Sequence, residues 1–240
     1  MSKRSKKSKI NRNKRFIGLD NRSSDLKRIY PATPSQQEVF NAFEDGHHLF
    51  LHGVAGTGKT FVSLYLALRE LMSSRSVYRE IQIIRSVVPT RDMGFLPGTE
   101  KQKIESYEAP YKTIVNELLE CGTAYESLRK NNLINFTSTS FIRGQTFYDS
   151  IIIVDECQNM NFHELDSVIT RMGENCLILF CGDFRQSDFR WKDEKEGVLD
   201  FMKIIKNMPQ FAFIESGQDD IVRSALVKDY IINKLELGIA

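Results

Sequence analysis

Short apolar runs recur along the chain, separated by longer segments in which apolar residues have helical spacing. The run at residues 151–154 is Ile-Ile-Ile-Val, and a continuous β-branched run is typical of a strand covered on both faces of a parallel sheet. Strands that alternate with helices predict a doubly wound, mostly parallel α/β sheet flanked by helices, with the functional site at the carboxyl ends of the strands. Strands are predicted at residues 49–51, 81–84, 133–136, 151–154, 176–181 and 211–214.

The helices are predicted from their start signals and their apolar faces. Ser35 is the expected N-cap of a first helix, and Asn161 with Glu164 resembles a capping box that opens a helix through Met172. Pro110 is expected to divide the segment after residue 100 into two helical pieces. Further helices are predicted after residue 58, around residues 198–202 and at residues 221–235.

A glycine-rich loop lies between the first predicted strand and the helix that follows it. It matches the pattern G-x-x-x-x-G-K-[ST] in full, and strand, loop and helix are the context that this pattern requires. Backbone N–H groups of such a loop surround an anion at the positive end of the helix dipole. Lys59 would reach the β- and γ-phosphates, and Thr60 would ligate Mg²⁺. A turn that merely caps a helix is the alternative, but the full match predicts nucleoside triphosphate binding. The loop residues are Gly53, Val54, Ala55, Gly56, Thr57, Gly58, Lys59 and Thr60.

Polar residues that suit hydrolysis follow two of the predicted strands. Asp155 would hold Mg²⁺ opposite Thr60, directly or through water, and Glu156 is placed to polarise the attacking water. The pair could also be a solvated loop, but it follows the most apolar strand of the chain. Gln186 follows the next strand, where its amide could bridge the γ-phosphate and the water and report hydrolysis. A small-molecule kinase fits less well, because Glu156 and Gln186 suit water as the acceptor.

Basic residues are concentrated at the N-terminus, whereas the rest of the chain is mildly acidic. Residues 1–15 carry eight basic and no acidic residues, and subtracting these from the net charge of +2 leaves about −6 for the other 225 residues. Such an arm holds a nucleic-acid backbone without reading its sequence, or else only keeps the protein soluble. We expect a disordered basic arm at residues 1–20, one domain at residues 21–240, and RNA or single-stranded DNA as partner. The basic residues are Lys3, Arg4, Lys6, Lys7, Lys9, Arg12, Lys14 and Arg15.

Composition argues against several other classes of protein. With 41% hydrophobic residues the chain can bury a sizeable core, yet it has no run of about 18 apolar residues that could span a membrane. The basic N-terminus precedes no apolar segment, so no secretory signal is expected. The four cysteines include no C-x-x-C pair, which argues against zinc or disulfides. The histidines, which show no ligand spacing, are His47, His48, His52 and His163. We expect a cytoplasmic protein.

Seven segments, in this order, closely resemble motifs of the PhoH family. They are residues 53–60, 94–98, 141–146, 155–159, 170–173, 182–186 and 220–223. This family is similar to the first RecA-type domain of superfamily-1 helicases, and its members are described as ATPases that are often proposed to be RNA helicases. The resemblance implies a RecA-like P-loop fold, an adenine contact at Gln36, phosphate and Mg²⁺ contacts at residues 53–60 and Asp155, and a γ-phosphate sensor at Gln186.

The chain departs from the family pattern at two places. The family usually has Arg-Pro after its second strand, where this chain has Arg85-Ser86, and a histidine commonly follows the late arginine, where this chain has Ser224. Both departures could alter coupling to a polymer. A compact form with a short basic arm resembles the versions seen in bacteriophage genomes, in which case the host cytoplasm is the expected location.

Efficient hydrolysis usually requires an arginine that stabilises the charge on the γ-phosphate. Two-domain helicases supply it from a second domain, so here either hydrolysis is slow or a neighbouring subunit supplies the arginine. The pattern as a whole favours a head-to-tail ring. The resemblance implies a hexamer. Arg223, at the expected start of the last helix, is the first candidate, followed by Arg171 and Arg143, although each also fits a surface or salt-bridge role. The loop at residues 93–99, with Phe95 and Leu96, could stack on bases, pack against a neighbour or cover the core.

Two functions from different classes fit these observations. The first is a Mg²⁺-dependent ATPase that acts on RNA or single-stranded DNA as a ring, with helicase or remodelling activity. The second is a nucleotide-gated nucleic-acid-binding or assembly module that hydrolyses slowly and unwinds nothing. Stimulation of ATP turnover by a single strand distinguishes the two.

Overall fold

The computed structural model of the protein describes residues 26–86, 100–184 and 192–238. Three features predicted from the sequence lie outside these residues. They are the basic arm, the loop at residues 93–99 and Gln186.

Six strands in the described part of the chain form one sheet, at the positions predicted from the apolar runs. The strands are β1 (His48–Gly53), β2 (Glu80–Arg85), β3 (Ile134–Ser138), β4 (Ser150–Asp155), β5 (Leu177–Gly182) and β6 (Phe211–Ser216). Their order across the sheet is β3-β2-β4-β5-β1-β6, and every neighbouring pair is parallel. The predicted doubly wound parallel sheet is therefore confirmed.

Helices connect the strands and cover both faces of the sheet. They are α1 (Pro34–Glu44), α2 (Lys59–Met72), α3 (Glu100–Leu118), α4 (Ala124–Lys130), α5 (Phe162–Ile169), α6 (Lys192–Lys206) and α7 (Ala225–Glu236). On one face, α1, α2, α3 and α4 enclose a core that includes Ile151 and Ile153 of β4. On the other face, α5 and α6 enclose a second core that includes Ile152 and Val154. Successive residues of β4 thus enter opposite cores, because side chains alternate along a strand.

The N-cap of the first helix lies two positions before the residue expected from the sequence. It is Thr33, whose side chain accepts a hydrogen bond from the Gln36 N–H at 3.3 Å. The prediction of Ser35 as cap is wrong because Pro34 occupies the first helical position, which favours proline, and the cap is the residue before it. Ser35 is buried, and its hydroxyl lies 3.0 Å from that of Ser216 at the end of β6.

Pro110 does not divide α3, which is one helix with the proline inside it. A proline removes one helical hydrogen bond and crowds the preceding turn. Packing on both sides of it supports the continuous helix. Glu108 is buried and is bonded to Tyr125 and Arg129, and Tyr111 is buried on the other side of the proline.

Other helix boundaries also differ from the expectations. The capping box of Asn161 and Glu164 is present, but α5 ends at Ile169 rather than Met172. Helix α7 begins at Ala225, so Arg223 precedes it. Helix α4 was not predicted at all. No helix in the described ranges is long and apolar enough to cross a lipid bilayer.

The parallel arrangement brings the last residues of all six strands to the same edge of the sheet. In the order β1 to β6, they are Gly53, Arg85, Ser138, Asp155, Gly182 and Ser216. In a doubly wound sheet this edge is where ligands bind.

Candidate functional site

The glycine-rich loop joins β1 to α2 at the carboxyl edge of the sheet. A Cβ atom on Gly53 would lie 2.2 Å from the Ser216 carbonyl oxygen, so only glycine lets β6 approach this closely. Gly58 has a φ of 83° and is the N-cap of α2 without a side-chain capping bond. The first N–H groups of α2 therefore have no side-chain cap at Gly58, and a helix N-terminus of this kind binds anions.

Lys59 is held inside the loop by three acceptors. Its amine donates to the carbonyl oxygens of Gly53 and Val54 at 2.8 and 2.9 Å and to the Thr57 hydroxyl at 3.3 Å. Burial lowers the pKa of Lys59, and the nearby Asp183 is the largest of several groups that act in the opposite direction. The amine is thus positioned at the anion-binding loop, near acidic groups at the ends of β4 and β5.

Thr60 and Asp155, the two residues predicted to hold Mg²⁺, are in direct contact. The Thr60 hydroxyl donates to Asp155 Oδ1 at 2.8 Å, and the Tyr111 hydroxyl donates to Oδ2 at 2.8 Å. Burial raises the pKa of Asp155, and the negative charge of Glu156 raises it further. The hydrogen bonds from Thr60 and Tyr111 act in the opposite direction and lower it. A hydroxyl and a carboxylate beside a phosphate loop are the oxygen ligands that Mg²⁺ accepts, so the residues fit this ion.

No group of three His, Cys, Asp or Glu side chains that could hold a metal occurs in the described ranges. A Mg²⁺ ion at this loop would therefore complete its coordination with nucleotide oxygens and water, as Mg²⁺ does at phosphate-binding sites.

Glu156 lies directly after β4 in a left-handed conformation with a φ of 51°. The side-chain amide of Gln158 donates to Glu156 Oε2, and the Gln158 oxygen accepts from the Asp183 N–H at 3.1 Å. Gln158 therefore ties the predicted base to the end of β5. No role was predicted for Gln158 from the sequence, although it lies in the segment at residues 155–159, one of those that resemble PhoH motifs.

Gln36 on α1 is buried against the phosphate loop. Its side-chain oxygen accepts from the Ala32 N–H at 2.8 Å, and its amide donates to the Thr57 carbonyl oxygen at 3.0 Å. The side chain thus fixes the loop relative to α1. An adenine contact by Gln36 stays a prediction, and it would have to use the remaining N–H and lone pair of this amide.

The three candidate arginines occupy different surroundings. Arg223 lies at the phosphate loop of its own chain. The neighbouring Val222 N–H donates to the Gly56 carbonyl oxygen at 3.0 Å, and a Cβ atom placed on Gly56 would lie 3.0 Å from the Arg223 Cγ. Arg143 is exposed. Arg171 is half-buried, and within the described ranges its Nε has no hydrogen-bond partner.

Two further residues at the site were missed from the sequence. Tyr111 was assigned only to an apolar helix face, and Arg85 was noted only because a serine follows it. Burial and the adjacent Asp155 raise the pKa of Tyr111 well above its usual value, so the hydroxyl keeps its proton and donates. The signal that could have identified Tyr111 is its phenol group, since a buried tyrosine hydroxyl usually has a hydrogen-bond partner.

A lysine and a threonine at a glycine-rich helix N-terminus, facing an aspartate on a neighbouring parallel strand, define a P-loop nucleotide-binding protein. The family model described as PhoH-like protein matches residues 28–235. The chain therefore belongs to the PhoH family, and the predicted RecA-like P-loop fold agrees with this membership and with the parallel sheet.

Curated relatives are longer than this chain. The PhoH-like protein of Bacillus subtilis (strain 168) is 30% identical over 206 residues, which cover 85% of this chain and 63% of the relative. Protein PhoH of Escherichia coli (strain K12) is 29% identical over 211 residues, which cover 88% of this chain and 59% of the relative. The chain spans about three fifths of the length of these relatives.

Among solved structures, the chain is similar to two Pif1 proteins. The Pif1 helicase from Candida albicans gives a TM-score of 0.41 at 15% identity, covering 88% of this chain and 44% of that chain. Bacteroides Pif1 bound to ssDNA gives a TM-score of 0.41 at 14% identity, covering 87% and 46%.

Proposed function

We propose that the chain is a Mg²⁺-dependent ATPase. The observation that carries this proposal is the contact of the Thr60 hydroxyl with Asp155 Oδ1, next to a phosphate loop that holds the Lys59 amine. The loop and the N–H groups of α2 would bind the phosphates, and Lys59 would neutralise their charge. Thr60 and Asp155 would hold Mg²⁺, which supplies charge neutralisation at the β- and γ-oxygens when bound.

The remaining steps belong to Glu156 and Gln186. Glu156, held by Gln158 beside Asp155, would accept a proton from the attacking water. Gln186 would contact the γ-phosphate and report its loss. Gln36 would contribute an adenine contact from the α1 side of the loop.

We further propose that RNA or single-stranded DNA is the polymer on which the ATPase acts. The argument is electrostatic, because the sequence of residues 1–15 has eight basic residues and no acidic one. The test is ATP turnover with and without single-stranded RNA and DNA of matched length. Strong stimulation supports an ATPase that remodels nucleic acid. Turnover that is slow and indifferent to every strand supports the nucleotide-gated binding module instead.

Removal of residues 1–15 is expected to weaken nucleic-acid binding while basal ATP turnover is unchanged. For a single strand, the log–log salt slope should fall by roughly 0.7 for each phosphate that the arm neutralises in the full-length protein. The measurement is the affinity for a single strand over a range of salt concentrations. A full-length variant with its five arm lysines changed to arginine (Lys3, Lys6, Lys7, Lys9 and Lys14) is the matched control, and it should keep the wild-type slope. An unchanged slope after truncation would assign the arm to solubility alone.

We also propose a ring of subunits, in which a neighbour supplies the charge-stabilising arginine. The contact between Arg223 and its own loop favours a role for Arg223 at the nucleotide of its own subunit. Arg171 and Arg143 then are the candidates for a role across the interface.

Mixing of inactive variants separates these two roles. A mixture of Lys59→Ala and Arg223→Ala proteins should stay inactive, because every subunit keeps one defect at its own site. A mixture of Lys59→Ala with Arg171→Ala or Arg143→Ala should regain part of the turnover if that arginine reaches a neighbour. Recovery with Arg223→Ala would show that Arg223 acts across the interface. A monomer with full turnover would contradict the ring.

A further inference from the structure

The two oxygens of the Asp155 carboxylate are held by different elements of the fold. Oδ1 accepts from Thr60 at the start of α2, and Oδ2 accepts from Tyr111 on α3, both at 2.8 Å. Asp155 is 5% exposed and Tyr111 is fully buried. Each oxygen therefore has a defined partner, and only Oδ1 faces the residue that shares the predicted Mg²⁺ site.

A third element of the fold also acts on the Tyr111 hydroxyl. Arg85 ends β2 directly beside Asp155 in the parallel register, and its positive charge acts on the same hydroxyl. Because arginine has only donors, Arg85 does not compete for the phenol proton, which is donated to Asp155. The Tyr111 ring packs against Phe136 with centroids 5.7 Å apart, so the ring position is also determined.

We propose that Tyr111 is a positioning residue that occupies Oδ2 of Asp155, so that the carboxylate presents only Oδ1 to a metal ion at the phosphate loop, and thereby favours Mg²⁺ over Ca²⁺. This inference rests on the proposed Mg²⁺–ATP function. Mg²⁺ requires near-ideal octahedral geometry and retains several waters, whereas Ca²⁺ takes six to eight oxygens and accepts bidentate carboxylates. A carboxylate with one oxygen held away from the metal therefore fits Mg²⁺ and disfavours Ca²⁺.

The test compares Tyr111→Phe with Tyr125→Phe. Tyr125 is a matched control, because it is also buried and donates to a carboxylate, Glu108, whose other oxygen is bound by Arg129. Both substitutions remove one hydroxyl and keep the ring. Of the two tyrosines, only Tyr111 donates to the carboxylate that also accepts from Thr60.

The readout is the affinity for a non-hydrolysable ATP analogue, measured by calorimetry with Mg²⁺, with Ca²⁺ and with excess EDTA. In Tyr111→Phe we expect the gain in affinity from Mg²⁺ to fall about 10–100-fold, the usual effect of losing a partner of a metal-binding side chain. The gain from Ca²⁺ should fall less or rise, and affinity in EDTA should be unchanged. Tyr125→Phe should match the wild type in all three conditions.

A second variant, Arg85→Met, keeps the inference testable if Tyr111→Phe does not fold. Loss of Arg85 removes the positive charge beside the Tyr111 hydroxyl, so this hydroxyl is held less firmly on Oδ2 and the ratio of Mg²⁺ to Ca²⁺ affinity should fall in the same direction. A wild-type ratio in a folded Tyr111→Phe protein, or the same loss in Tyr125→Phe, would overturn the positioning role. A wild-type protein whose nucleotide affinity ignores Mg²⁺ would instead overturn the proposed function itself.

Discussion

Replacement of Lys59 by alanine is expected to abolish ATP hydrolysis and greatly weaken ATP binding. The Lys59 amine is the cation within the phosphate loop, held by the Gly53 and Val54 carbonyl oxygens and the Thr57 hydroxyl. Removing a single donor to developing charge usually costs about 10²–10³-fold in rate. The loss of a full charge at the β- and γ-phosphates should reach the upper end of that range or exceed it. Steady-state phosphate release and calorimetric ATP binding measure the two effects.

Lys112→Ala is the control for this experiment. Lys112 lies on α3 in an exposed ion pair with Glu126, so its loss removes a lysine far from the loop in sequence and should leave turnover at the wild-type level. Near-normal turnover by a folded Lys59→Ala protein would reject the assignment of residues 53–60 as a phosphate loop.

Replacement of Glu156 by glutamine is expected to preserve nucleotide binding and slow hydrolysis by about 10²-fold or more, the usual contribution of a positioned base. Glutamine keeps the shape of the side chain and can still meet the Gln158 amide through its oxygen, but it cannot take a proton from water. Single-turnover hydrolysis and equilibrium binding, measured on the same sample, separate chemistry from affinity.

Glu126→Gln serves as the matched control, because Glu126 lies on α4 and is an exposed partner of Lys112. Loss of nucleotide binding in Glu156→Gln, with hydrolysis reduced only in proportion, would mean that the roles of Asp155 and Glu156 are misassigned.

The sheet could be predicted from the sequence because its strands are short and strongly apolar. Each predicted run lies within a strand of the structure or extends beyond it by a single residue. Helix boundaries were less predictable because tertiary packing decides them. Pro110 predicts a break when only local preference is considered, yet burial of Glu108 and Tyr111 on either side keeps α3 continuous.

The contacts of the site also divide into those that the sequence predicts and those that it does not. Local sequence patterns predicted that the loop at residues 53–60 and the pair Asp155 and Glu156 follow strands. The fold then brings Thr60 of the loop into contact with Asp155. The bond from Tyr111 to Asp155 joins residues 44 positions apart. No spacing within a helix distinguishes this tyrosine from an ordinary core residue.

Ser86 shows why a departure from the family pattern was not interpretable from the sequence. Its hydroxyl donates to Glu164 Oε1 at 3.2 Å, and the Thr139 hydroxyl donates to the same oxygen. Glu164 also belongs to the capping box of α5. A proline at position 86 could not make this bond, so the serine connects the end of β2 to α5 in a way that only the three-dimensional structure reveals.

Phosphate release from ATP, measured with Mg²⁺ and with excess EDTA for wild type and Lys59→Ala side by side, tests the central claim most directly. The proposed site predicts turnover by the wild-type protein in Mg²⁺, background release in EDTA, and background release by Lys59→Ala in both. Equal turnover by the two proteins, or wild-type turnover that persists in EDTA, would contradict a Mg²⁺-dependent ATPase at this loop.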